Sequence, residues 1–280
     1  MKKTKTIAVI SMVRSDTFFA DKWITHYGSQ FGFENLYLFI DGLDQKLPSL
    51  SKKINCYQIP HVEYSRVKSD RKRSRYISKF ACDLFVKYEI VLAMDIDEFL
   101  TVDPFLKISL KDYLSKDFKS SSLSALGLDV GQHPSIEKPI DLGKPFLSQR
   151  AFAQVSDRYT KPIVSFKPLQ WGSGFHRIKW KNFTIDNNLF LFHFGLVDHA
   201  NAKENTQNKQ LLSSGWKGHF DRRFQLYEII KTQNAQEGDY FFKKARMFFA
   251  TKRKWYAWNK PAPLKGNALI RIPKRFENLV

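Results

Sequence analysis

Ile90-Val91-Leu92-Ala93-Met94 is an uninterrupted apolar run that stops at Asp95-Ile96-Asp97-Glu98 and resumes at Phe99-Leu100. A short apolar run with such an abrupt polar end fits a strand buried on both faces, as in a parallel sheet covered by helices. Residues two apart in a strand share a face, so Asp95 and Asp97 are expected to point the same way from the mouth of the sheet. Like charges that close repel unless a cation lies between them. Paired carboxylates are hard ligands suited to Mg²⁺ or Mn²⁺ bridging to phosphate oxygens, which points to metal-assisted work on a diphosphate. The plainer alternative is a loop whose acids cap a following helix.

Strand-then-helix units lead up to this run. Ile7 to Val13 reads as a first buried strand, and Phe19, Ala20, Trp23, Ile24 and Tyr27 form a helical stripe that Gly28 and Gly32 break. Leu36 to Ile40 reads as a second strand, ending at Asp41-Gly42-Leu43-Asp44, and Ile54 to Ile59 as a third, ending at Pro60. Between Ser69 and Tyr88 the residues Ile77, Phe80, Ala81, Leu84 and Phe85 recur at helical spacing, the pattern of an amphipathic helix lying on a sheet. This alternation predicts an α/β fold with a mostly parallel central sheet, where ligands collect at the carboxyl ends of strands. Arg14, Asp16, Asp41, Asp44, Asp95 and Asp97 all stand at such ends and are expected to converge on one crevice.

After Asp103-Pro104 the pattern predicts a helix over Ile108 to Lys116 and a strand over Leu123 to Val130. Loops are expected from Gly131 to Ser156, strands at Pro162 to Lys167 and Leu189 to Phe194, and helices at Ala202 to Leu212 and Phe220 to Lys231. Cys56 and Cys82 are too few for a disulfide framework and lack ligand spacing, which favours a reducing cytoplasm. Met1-Lys2-Lys3 followed by an apolar segment is signal-like, but Arg14 and Asp16 interrupt it and no small-residue cleavage site follows. No stretch reaches the ~20 apolar residues of a membrane-spanning helix.

The net charge of +19 calls for partners rich in negative charge: nucleic acid, an anionic membrane face or phosphorylated substrates. Lys68, Arg71, Lys72, Arg75 and Lys79 are either a solvated helix face or a surface turned to a diphosphate, with Arg75 the choice for a pyrophosphate contact because guanidinium geometry suits phosphate. From Phe241 to Phe276, Lys and Arg interleave with Phe, Trp and Tyr. Two readings stand: a segment that docks on the inner face of an anionic membrane, or one whose aromatics pack on the body.

In combination, Val13-Arg14-Ser15-Asp16, Trp23-Ile24-x-His26-Tyr27-Gly28, Phe39-Ile40-Asp41-Gly42 and Ala93-Met94-Asp95-Ile96-Asp97-Glu98-Phe99-Leu100 resemble the glycosyltransferase family 2-like proteins of the GT-A fold. The likeness is to a bacterial subgroup with a D-x-D-E-F signature and a related eukaryotic group, and it covers residues 1–105. The resemblance implies a Rossmann-like GT-A domain over 1–240, with a nucleotide-sugar-binding half at 1–105 and an acceptor half at 106–240; the basic, aromatic residues after it read as a helical extension over 241–280. It implies transfer of a sugar from a nucleoside-diphosphate sugar to a glycan or lipid-linked acceptor in bacterial surface polysaccharide synthesis. Mn²⁺ or Mg²⁺ on Asp95 and Asp97 would stabilise the departing nucleoside diphosphate. Arg14 and Asp16 would lie beside the nucleotide, and Asp41, with Asp44 nearby, would meet the base or ribose.

Enzymes of this kind commonly add a His ligand from a later strand. Leu191-Phe192-His193-Phe194-Gly195 offers His193, which is otherwise a core histidine; His176, in Gly172-Ser173-Gly174-Phe175-His176-Arg177, and His199 are the other choices. No Glu-Asp pair announces a general base. Asp129, at a strand end, and Glu98 are the candidates, Glu98 being equally suited to anchor the loop.

Two other classes compete. Haloacid-dehalogenase-like phosphatases also carry Asp-x-Asp after an apolar strand, the first Asp acting as nucleophile, but Phe99 stands where they have Thr or Val. A nucleic-acid-binding protein would account for the basic aromatic tail, yet bare carboxylates at Asp95 and Asp97 would repel a phosphate backbone, so no specific nucleic acid is expected.

Overall fold

The computed structural model describes residues 4–16, 18–206 and 217–280. Its first half comprises β1 (Ile7–Val13), α1 (Ala20–Phe31), β2 (Leu36–Asp41), β3 (Asn55–Ile59), α2 (Arg66–Leu84) and β4 (Ile90–Ala93). The four strands pair in parallel in the order β3-β2-β1-β4. Alternate residues of β1 explain why it is apolar at every position but Ser11. Ile7, Val9 and Val13 pack with Trp23, Ile24 and Tyr27 of α1, whereas Ala8, Ile10 and Met12 pack with Ile77 and Ala81 of α2. α1 runs through Gly28, where a side chain would meet the Phe33 ring, and ends at Gly32, whose φ of +95° suits only glycine.

The second half is mixed. It contains β5 (Glu98–Val102), α3 (Leu110–Leu114), β6 (Ser122–Gly131), β7 (Phe152–Val155), β8 (Val164–Ser165) and β9 (Ile185–Leu196). The short β8 pairs antiparallel with both β4 and β6 and so joins the two halves into one large α/β sheet. β9 lies parallel to β6 and antiparallel to β5. Two expectations change here. β4 stops at Ala93, so Asp95 and Asp97 stand in a turn between two strands rather than on one strand face. β7 runs inside the segment expected to be loops, because four residues with one half-exposed Gln154 are too short to stand out from Pro- and Gly-rich surroundings.

The chain continues through α4 (His199–Thr206), α5 (Lys217–Thr232), β10 (Gln236–Glu237), α6 (Gly238–Thr251) and β11 (Leu269–Arg271). The expected helix at Ala202 to Leu212 is covered by α4 only in part, and its remainder lies outside the described residues. The expected boundary between residues 240 and 241 falls inside α6, and the tail is no appendage. Phe241, Phe242, Ala245 and Phe249 are buried, β11 pairs with β7, and Phe276 packs on Phe190 and Phe192. The aromatic residues that remain exposed there are Tyr240, Trp255, Tyr256 and Trp258. A membrane-docking tail therefore lacks most of the phenylalanines it was expected to use, because the core has taken them. Among the described residues no helix is long and apolar enough to cross a membrane.

Packing of α1 on β5 gives the fold a pH dependence. His26 Nε2 lies 3.1 Å from the Leu100 carbonyl, and burial lowers the imidazole from 6.5 to about 4. Between those values the unfolded chain binds a proton that the folded chain does not, so stability is full above pH 6.5 and falls as pH drops towards 4. The full shift corresponds to about 3 kcal/mol, less what residual solvent contact of this half-buried ring screens. Urea denaturation of the parent and His26→Gln at pH 7 and pH 4.5 should show a smaller pH-dependent loss in the variant; equal losses would remove His26 as the cause.

Candidate functional site

The end of β4 is clamped to β1: Met94 N–H donates to the Ile10 carbonyl and Ser11 Oγ donates to the Met94 carbonyl at 2.9 Å. The chain then turns, with Glu98 N–H donating to the Asp95 carbonyl. Tyr27 of α1 fixes the far side, its hydroxyl donating to the Glu98 carbonyl at 3.1 Å and accepting from Leu100 N–H at 2.6 Å. The two aspartates of the turn go to different partners. Asp95 Oδ1 lies 2.7 Å from Arg73 Nη1 of α2, and Oδ2 lies 2.7 Å from Lys161 Nζ, just before β8. Lys161 also lies 2.5 Å from Glu98 Oε1, with both side chains out of solvent.

These contacts set the charges. Burial alone would raise the Asp95 carboxyl, but Arg73 and Lys161 outweigh it and hold it well below the usual carboxylate range. Burial pushes Glu98 up to about 7 against the pull of Lys161. Burial would lower Lys161, but Asp95 and Glu98 outweigh it and keep the ammonium charged. The repulsion expected between neighbouring carboxylates is thus relieved at Asp95 by two side-chain cations of the chain itself.

Asp97 belongs to a second set. Strand register puts His193 of β9 between Glu98 of β5 and Asp129 of β6. Its Nδ1 lies 2.7 Å from Asp129 Oδ1 and its Nε2 lies 3.0 Å from Asp97 Oδ2, with the Tyr159 ring stacked on the imidazole at 3.7 Å. Burial would lower the His193 pKa, but the two carboxylates outweigh it and raise it to about 9. Arg14, Asp41 and Asp44 gather at the neighbouring ends of β1 and β2. Arg14 Nη1 donates to the Asp41 carbonyl at 2.7 Å and pairs with Asp44 at 3.2 Å, while the Asp41 carboxylate faces His61 at 3.0 Å. Asp16 lines a small cleft beside them with Ser15 and Gln45.

Several expected members fall elsewhere. Arg75 does not reach Asp95; Arg73, two residues earlier on α2, does, and Arg75 lines a separate cavity. Glu98 is fully buried on Lys161, which makes it an anchor of the turn rather than a base open to substrate. His176 donates from Nδ1 to the Arg158 carbonyl at 2.8 Å, and burial lowers its pKa to about 3. His199 packs on Tyr227. Sequence reading missed Arg73, Lys161 and Tyr159. The one available signal was Lys161 itself, a lysine directly ahead of the apolar Pro162-Ile163-Val164.

For a divalent cation, the donor chemistry divides the expected ligands. Asp95 does not fit, since both of its oxygens are already held by cations. Asp97 and His193 fit once the cation displaces the Nε2 proton that the two carboxylates hold on the ring. Their facing atoms are 3.0 Å apart, and Asp129 on Nδ1 fixes the ring as a carboxylate fixes a metal-bound imidazole. Among the described residues no three His, Cys, Asp or Glu side chains form a metal-binding group, so ligand oxygens or water would have to complete the shell.

No protein-family model matches the chain, and no curated protein matches it. Among solved structures it is similar to the crystal structure of a glycosyltransferase involved in the glycosylation of the major capsid of PBCV-1. That chain is 18% identical over 49% of this chain and 57% of its own length, with a TM-score of 0.25. A likeness at that score carries no argument about fold or activity.

Proposed function

We propose that this chain is a glycosyltransferase of GT-A type that uses a nucleoside-diphosphate sugar with Mn²⁺ or Mg²⁺. The observation that carries the reading is the meeting of three strand ends in the order β2-β1-β4. Arg14, Asp41 and Asp44 stand at one side, and the Asp95–Asp97 turn, backed by His193 and Asp129, stands at the other. Arg14 and Asp41 are the groups at hand for a nucleoside, and Asp97 with His193 for the cation. The bound cation would supply charge stabilisation on the departing nucleoside diphosphate. Arg73, Lys161 and Glu98 hold the turn in place, so that Asp97 is presented without a cost of reorganisation. Asp129 is the remaining candidate base, although His193 already occupies one of its oxygens.

The acceptor, a glycan or lipid-linked glycan, and a role in bacterial surface polysaccharide synthesis are carried by the resemblance of residues 1–105. A phosphoaspartate mechanism is disfavoured, because an Asp95 held by Arg73 and Lys161 on separate oxygens is a poor nucleophile.

A thermal-shift panel of nucleoside diphosphates with and without Mn²⁺ tests the reading. One nucleotide at about 100 times its Kd should stabilise the chain by about 2.7 kcal/mol, and only with the metal. No stabilisation by any nucleotide, or equal stabilisation without metal, overturns it.

A further inference from the structure

On the other face of α2 from Arg73 lies a cavity of about 360 Å³ that none of Asp95, Asp97, Asp129 or His193 lines. Its volume falls in the range of ligand cavities. Arg71 and Arg75 reach it from the helix, Arg177 and Lys179 from the loop after Trp171, and it has no carboxylate in its lining. Among the described residues these four cationic side chains have no ion pair or hydrogen bond to another residue. Cations collected without counter-charge repel one another, so the arrangement is stabilised by an anion.

The lining also offers ring faces and hydroxyl partners. Trp171 forms a buried floor, while Trp180 and Trp258 are 86% and 49% exposed at the rim. Trp180 is held at φ +61°, a conformation uncommon for a bulky residue and kept only where the surrounding structure over-determines it. Ser74 lines the cavity with its side chain 1% exposed and its Oγ buried without a partner. A buried unsatisfied hydroxyl is costly and is relieved by a ligand that hydrogen-bonds it. Asn259 donates from Nδ2 to the Ile178 carbonyl at 2.9 Å, which leaves its Oδ1 to accept from a ligand.

From this combination we infer that the cavity binds an acidic saccharide: a sugar ring stacked on Trp180 or Trp258, its hydroxyls on Ser74 and Asn259, and its anionic substituent among the four cations. A bare phosphate would leave the aromatic faces and Ser74 unused, and a neutral sugar would leave the cations unpaired. The anionic group is a carboxylate of a uronic acid or a phosphate ester. Guanidinium groups recognise both in the same two-point manner.

Titration calorimetry on the full chain, in low salt and without added metal, tests this with a glucuronic acid oligosaccharide, a hexose phosphate, a neutral oligosaccharide of equal length, inorganic phosphate and a nucleoside diphosphate. One of the first two should bind at least about tenfold tighter than the other three, and which one it is identifies the anionic group. Binding should weaken as salt is raised. Arg75→Ala and Trp258→Ala, both at exposed positions, should each weaken it by about tenfold with unchanged melting temperature. Equal binding of the neutral oligosaccharide, of phosphate alone or of the nucleotide overturns the inference, as does parental affinity in both variants. The readout is independent of sugar transfer, so its failure and that of the glycosyltransferase reading are separate results.

Discussion

Lys161→Met is expected to destabilise the chain by about 3–5 kcal/mol, the cost of taking the shared buried cation from Asp95 and Glu98. Lys161 and Glu98 side chains are 2% and 0% exposed and 2.5 Å apart, and Lys161 also holds one oxygen of Asp95. Methionine fills much of the same volume, so the loss reads charge rather than packing. Urea denaturation at pH 7 measures it. Because Glu98 stands at about 7 even beside Lys161, it turns neutral at pH 7 when the ammonium is lost, so adding Glu98→Gln should change the loss little, whereas adding Asp95→Asn, which removes the carboxylate left short of a cation, should recover part of it. A single-variant loss below about 1 kcal/mol would mean that water reaches the pair and that the turn is not held in the way its contacts indicate.

The second large effect is functional. Asp97→Asn should weaken Mn²⁺-dependent nucleotide binding by about a hundredfold, with a smaller loss of melting temperature than Asp95→Asn because Asp129 still pairs with His193. Its side chain is 16% exposed at the mouth of the sheet, and the loss falls on a ligand charge rather than on the core. His193→Ala should raise the Mn²⁺ concentration needed for binding. Asp95→Asn should behave differently from Asp97→Asn: it strips Arg73 and Lys161 of their shared counter-charge and lowers the melting temperature first. Titrating one stabilising nucleoside diphosphate against each variant, with and without Mn²⁺, beside a melting curve, separates these outcomes. Should Asp97→Asn bind with metal as the parent does, Asp97 is no ligand and the cation proposal fails with it.

The first four strands and two helices were legible because each is specified locally. β4 is apolar at every position and β1 at every position but Ser11, since both faces are covered, and α2 shows its buried stripe at Ile77 and Ala81. Gly28 misled for a steric reason. It is small to admit the Phe33 ring, not to end a helix. The fate of the last forty residues was open between two readings, since the same phenylalanines suit a membrane boundary or a core, and only the placement of α6 and β11 against β9 and β7 decides it.

The amino-acid sequence by itself determined where the strand ends and their polar residues would stand, because hydrophobic periodicity is a property of neighbouring residues. That Asp95 and Asp97 would separate, one to Arg73 and Lys161 and the other to His193, was decided only by tertiary structure. Arg73 and Arg75 lie two positions apart in one basic run, and nothing in that run distinguishes the one that pairs with Asp95 from the one that lines the second cavity. Helix rotation against the sheet makes that choice. Lys161 and His193 come from far along the chain and are brought in by the pairing of β8 and β9, contacts whose loop-closure entropy is offset by burial of the whole core rather than by any local signal.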